Sequence, residues 1–218
     1  SSLLAKRLGA GWAITLVTGA VSVAINSTST ALATVNASAM ADDQTLTLSG
    51  TGAFNVIGLT ANLTNTSTGT VTVNLANTAT AVSTTVSNNA TSGSFTVYTG
   101  TLDATDFLVL AGIYSIAVVT NTNSVAIQSS STALASVDAD LMADDQTLTL
   151  SGTGAISVTG LTANLTNTAT GTITATLDDD GPALVSITIT NNAASGTLTL
   201  DTGSLDSNDT IVLSGSSA

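Results

Sequence analysis

The chain has 218 residues, is 43% hydrophobic and 7% charged, and carries a formal net charge of -12. It has two basic residues, no His and no Cys, and every acid is Asp. This argues against nucleic-acid binding through phosphate neutralisation and docking on anionic lipid, and it excludes disulfides, thiolate zinc sites and imidazole chemistry. Thr makes up close to a fifth of the sequence, and Ser, Asn, Ala, Val and Leu fill most of the rest. Such residues suit a pleated, half-buried surface and the usual solvated helix formers are nearly missing, so composition predicts an all-β protein.

In chain order, residues 1–11 read "SSLLAKRLGAG" and hold both cations, Lys6 and Arg7, with Leu3, Leu4 and Leu8. Next comes "WAITLVTGAVSVAI", which with the basic start and Ala31-x-Ala33 has the outline of a signal peptide. The same pattern recurs mid-chain as "YSIAVVTNTNSVAI", where no signal peptide acts, so two strands and a turn are predicted. A true secretion signal is expected to have preceded Ser1. Alternating strands follow. Leu46 and Leu48 share a face, as do Val71, Val73 and Leu75, then Phe95 and Val97, then Leu108 and Leu110. Ser-Gly, Thr-Gly and Asn-Asn turn signals separate these segments.

The sequence then repeats itself. "MADDQTLTLSGTGA" occurs at 40–53 and again at 142–155, an offset of 102 residues. "GLTANLTNT" occurs at 58–66 and at 160–168. One inserted residue downstream makes the offset 103, so "SGSFTVYTG" faces "SGTLTLDTG". The organisation expected is an N-terminal extension over 1–11, one repeat over 12–112 and another over 113–218. Strand signals about every ten residues predict two tandem β-sandwich domains, Greek-key and Ig-like. The alternative is a β-solenoid, which predicts a shorter period of about 20 residues inside each repeat.

No enzyme is expected. Ser and Thr abound, but without His and with a single Lys there is little to activate them. Paired Asp residues suit glycoside hydrolysis, yet such clefts are rich in aromatics and this chain is 3% aromatic. Acidic loops instead suggest calcium, a cation that takes several carboxylate and carbonyl oxygens. The candidate ligands are Asp42, Asp43, Asp138, Asp140, Asp144, Asp145, Asp178, Asp179 and Asp180, with Asp206 and Asp209 in a further loop. The competing explanation is that Asp forms turns and keeps the protein soluble. N-x-S/T sequons stand at Asn26, Asn36, Asn62, Asn65, Asn89, Asn164 and Asn208.

With units such as "LTLSGTGAFNVIGLTANLTNTSTGTVTV", the chain resembles the repetitive β-strand proteins of microbial surfaces: large secreted adhesins, S-layer proteins and extracellular filament subunits. "SNDTIVLSG" resembles an eroded hemolysin-type calcium repeat. The resemblance implies an extracellular structural or adhesive role, with calcium.

The opening segment carries a charge of +2 and the rest of the chain -14. A cationic, apolar segment outside the repeat is complementary to the surface of another copy. The expectation is therefore a homo-polymer, in which Leu3, Leu4, Lys6, Arg7 and Leu8 dock on the next subunit by β-strand addition. Filament and surface layer both fit. The alternative is an adhesin module that binds calcium or a glycan on a cell surface through its acidic loops. Neither nucleic acid nor a membrane span is expected.

Overall fold

The protein is described from a computed structural model covering residues 14–77, 80–81, 83–179 and 185–216. Twenty strands follow one another, with no helix among the described residues. The first repeat supplies β1 (Ile14–Val17), β2 (Val23–Ser27), β3 (Ala33–Asn36), β4 (Thr45–Gly50) and β5 (Phe54–Leu59). It continues through β6 (Asn62–Asn65), β7 (Val71–Leu75), β8 (Ser83–Asn88), β9 (Phe95–Tyr98) and β10 (Phe107–Gly112). The second opens with β11 (Ile116–Val119), β12 (Val125–Ser129), β13 (Ala135–Asp138), β14 (Thr147–Gly152) and β15 (Ile156–Leu161). It closes with β16 (Asn164–Asn167), β17 (Thr172–Leu177), β18 (Ser186–Asn191), β19 (Thr197–Asp201) and β20 (Thr210–Gly215).

All odd-numbered strands form one ten-stranded sheet and all even-numbered strands another, each in chain order. The pairings are parallel throughout. A chain that alternates between two parallel sheets, adding one strand to each in turn, is a β-solenoid. This overturns the two Greek-key, Ig-like sandwiches, whose hairpins would be antiparallel. Strand β10 pairs with both β8 and β12, and one apolar core runs through both repeats.

The ladder explains the repeat. Along the odd sheet Ile14 pairs with Ala33, Ala33 with Phe54, Phe54 with Val71, Val71 with Phe95, and Thr96 with Ala117. These steps are 19, 21, 17, 24 and 21 residues, and together they make the 102-residue offset. The next steps, from Ile116 to Ala135, Ile156, Ile173 and Leu198, are 19, 21, 17 and 25. So one sequence repeat is five turns of solenoid. The inserted residue lies in the loop after β17.

Alternation sets the core. Val35, Val56, Val73, Val97, Val118, Val137 and Val158 stack on one another through seven turns, all essentially inaccessible. The opposite sheet brings in Leu46, Leu63, Val86 and Leu110 at paired positions. Burying a Val or Leu side chain is worth about 1.5–3 kcal/mol, so this inward column supplies most of the driving force. Like-on-like stacking also holds the register, because a slip of one residue would turn every inward side chain out to water.

Corners are shaped by glycine and by buried amides. Gly152, at the end of β14, has φ +94, and a Cβ there would run into the Ser129 backbone. The Asn65 Nδ2 donates to Asn88 Oδ1 at 2.9 Å, and Asn88 Nδ2 donates to the Ser115 carbonyl at 2.8 Å. The same carboxamide oxygens also cap local amides, Ser67 N on Asn65 and Ala90 N on Asn88. Both Asn side chains are buried. The second repeat rebuilds this ladder with Asn167 and Asn191.

Candidate functional site

The Asp residues singled out in the sequence mostly build turns. Asp43 Oδ1 accepts from Gln44 Nε2, and Gln44 Oε1 accepts from both the amide and the hydroxyl of Ser22 on the neighbouring turn. Ser22 Oγ in turn accepts from Thr45 N. Asp145, Gln146, Ser124 and Thr147 repeat every one of these bonds. "ADDQ" is thus an inter-turn clasp, in which Asp43 and Asp145 orient a glutamine. Asp42 and Asp144 lie exposed in the same turns. Sequence reasoning passed over Gln44 and Gln146. The signal was present, since a Ser precedes each Gln by 22 residues in both copies.

Asp103 and its counterpart Asp206 open a second kind of turn. Asp103 N donates to Asp106 Oδ2, and Asp206 N donates to Asp209 Oδ2. The Thr105 hydroxyl and amide donate to Asp103 Oδ1, and these bonds hold its carboxyl below the usual carboxylate range, with Asn77 Nδ2 assisting.

Asp138, Asp140 and Asp178 come together from neighbouring turns. Partial desolvation raises the Asp140 carboxyl above its ordinary value, and the charges of Asp138 and Asp178 add to the shift. Asp140 N donates to Asp138 Oδ1, and a Cβ on Gly160 would land on the Asp140 carboxylate. Among the described residues, no three acidic side chains are arranged to hold a metal ion. Asp179 N donates to Asp178 Oδ1, and Asp180 lies outside the described residues.

The sequons divide by burial. Asn26, Asn89 and Asn208 are exposed and Asn36, Asn62 and Asn164 half-buried. Asn65 is 1% exposed with its amide committed to Asn88, so the folded chain has no room for a sugar there. Asn62 and Asn164 turn their Oδ1 to the backbone amides of Thr85 and Thr188 on the next turn. Surface grooves of 200, 220 and 340 Å³ are lined by neutral side chains and offer no acid–base pair. No helix long and apolar enough to cross a membrane occurs among the described residues.

The C-terminal turn is one of the two end turns among the described residues. Its strands, β19 and β20, are the last in their sheets, and among the described residues nothing pairs with their outer edges. Leu213 is 70% exposed, whereas its first-repeat counterpart Leu110 is fully buried. Leu198, Leu200, Leu205 and Ile211 are only partly covered, while their counterparts Phe95, Val97, Leu102 and Leu108 are buried. Asp201, Asp206 and Asp209 lie in this last turn. Leu3, Leu4, Lys6, Arg7 and Leu8, the expected docking segment, lie outside the described residues. No protein-family model matches the chain, nor does any curated protein or solved structure.

Proposed function

We propose that this chain is a structural protein of the cell exterior that assembles head to tail into filaments. The observation that carries the proposal is the internal joint, where one five-turn repeat stacks on the next through continuous parallel sheets and so shows that the repeat is a surface that packs end-on against a copy of itself. A parallel sheet edge with an apolar flank is a template for another strand. Docking one end of a molecule on the opposite end of the next is heterologous and does not close, so it produces an open fibre. Charge favours the same polarity. Lys6 and Arg7 precede β1, while Asp201, Asp206 and Asp209 sit in the last turn. The cationic segment over 1–11 then travels with the docking end and meets the acidic end of its neighbour.

Sedimentation and negative-stain microscopy of the full chain across a concentration series test this. The expected result is fibres that grow with concentration, and loss of those fibres in Leu213→Glu while its circular dichroism stays β-rich. A wild-type chain that remains monomeric at every concentration overturns the proposal.

A further inference from the structure

The molecule contains its own example of a repeat stacked on a repeat: the step from β9 and β10 to β11 and β12. In that step Phe107 pairs with Ala126, Leu108 with Ile127, Val109 with Gln128 and Leu110 with Ser129. In the other sheet Thr96 pairs with Ala117, Val97 with Val118 and Tyr98 with Val119. The internal repeat assigns a counterpart to each of these positions. Phe107 to Leu110 correspond to Thr210 to Leu213, and Ala126 to Ser129 correspond to Ala24 to Ser27.

Resting on the end-on assembly above, we infer the register of the joint between molecules: β20 of one copy pairs with β2 of a second copy, and β19 with β1, as β10 pairs with β12. Thr210 then stands opposite Ala24 of the second copy, Ile211 opposite Ile25, Val212 opposite Asn26 and Leu213 opposite Ser27. In the other sheet, Leu200 stands opposite Leu16.

Three features of the chain agree with this joint. The apolar positions match, since Ile211 and Ile25 replace the buried pair Leu108 and Ile127. The corner hydrogen bonds are also preserved. In the internal joint, Ser130 N and Oγ donate to the Leu110 carbonyl. Ser131 Oγ and Thr132 N donate to the Gly112 carbonyl. The first repeat offers Thr28, Ser29 and Thr30 at these places, a hydroxyl at every one, and the last turn offers the carbonyls of Leu213 and Gly215. Ser29 Oγ already accepts from Ala31 N, as Ser131 Oγ accepts from Ala133 N, so the two corners have one conformation. Gly215 also keeps the left-handed backbone of Gly112, φ +135 against φ +113.

The chain has no Cys, so an engineered disulfide reads this register directly. Val212 and Asn26 are exposed, and both substitutions are mild. Facing positions on adjacent strands are about 4.8 Å apart, within disulfide reach, whereas a pair offset by two residues is about 8 Å apart and beyond it. Among the described residues of one molecule β2 and β20 stand at opposite ends of the same sheet, separated by about nine strand steps, so the bond forms only between molecules.

The expected result is that the full chain carrying both V212C and N26C gives, on oxidation, a ladder of covalent multimers on a non-reducing gel. V212C with A24C gives none. Mixing the two single variants, V212C and N26C, gives a dimer and nothing larger that is dependent on both. Fibres that form without this cross-link, or that cross-link equally through the offset pair, overturn the register while leaving end-on assembly standing. Absence of any assembly removes both.

Discussion

Asn88→Ala tests whether the buried amide ladder holds the turns together. Its side chain makes three hydrogen bonds in a site with no exposure: from Asn65 Nδ2 at 2.9 Å, from Ala90 N at 3.3 Å and to the Ser115 carbonyl at 2.8 Å. Alanine strands Asn65 Nδ2 and Ala90 N away from water, while the Ser115 carbonyl belongs to an exposed residue and can turn to solvent. At about 1 kcal/mol or more for each stranded amide, with a small cavity added, the cost is about 2–4 kcal/mol. For a chain of this size that lowers Tm by about 4–16 °C. The second repeat supplies the control. Asn191 occupies the equivalent place, but it is half-buried and its oxygen accepts two bonds, at 3.0 and 3.4 Å. Water can replace those partners, so Asn191→Ala costs about 1 kcal/mol. Urea unfolding followed by circular dichroism, in a Leu213→Glu background to keep the chain monomeric, measures both. The reasoning fails if Asn88→Ala lies within about 1 kcal/mol of its parent, or if Asn191→Ala costs as much.

Two further outcomes are expected. Gly152→Ala forces a Cβ into the Ser129 backbone at φ +94 and costs at least about 2 kcal/mol, whereas Gly19→Ala, where a Cβ meets nothing, stays within about 1 kcal/mol of the parent, as the unfolding midpoints report. Asp140→Ser restores the residue found at the equivalent position, Ser38, and raises the unfolding midpoint at neutral pH. The sign follows from the raised folded pKa: the charged form destabilises the folded chain, so the gain from Ser is full at pH 7 and disappears as Asp140 becomes protonated in acid. A midpoint difference that is independent of pH would show that the carboxylate charge is not the cause.

Much of the local structure was legible in the sequence. The period of two located strands correctly, so Leu46, Leu48, Val71, Val73 and Leu75 all point inward. The turn-forming use of Asp was also visible as one of two explanations, and Asp43, Asp103 and Asp206 follow it. At Asn65 the sequence shows a sequon and the structure a corner amide, two things that look the same in one dimension. Its burial comes from the Asn88 side chain on the next turn, 23 residues away.

Sequence by itself determined the strands, their inward faces and the 102-residue repeat, because alternation and repetition act between near neighbours along the chain. It did not determine how the strands pair. A solenoid is recognised by one constant period, and here the turns run 19, 21, 17, 24 and 21 residues, so only their sum recurs. The variation is absorbed by loops of unequal length, some of which add residues such as Met40 and Leu102 to the core and so blur the period further. Tertiary structure decided that Val35, Val56, Val73 and Val97 sit above one another, and that continuous parallel sheets replace two separate sandwiches. The physical reason is that parallel pairing connects residues about 20 apart at unequal intervals, and inward side chains compatible with both arrangements cannot choose between them.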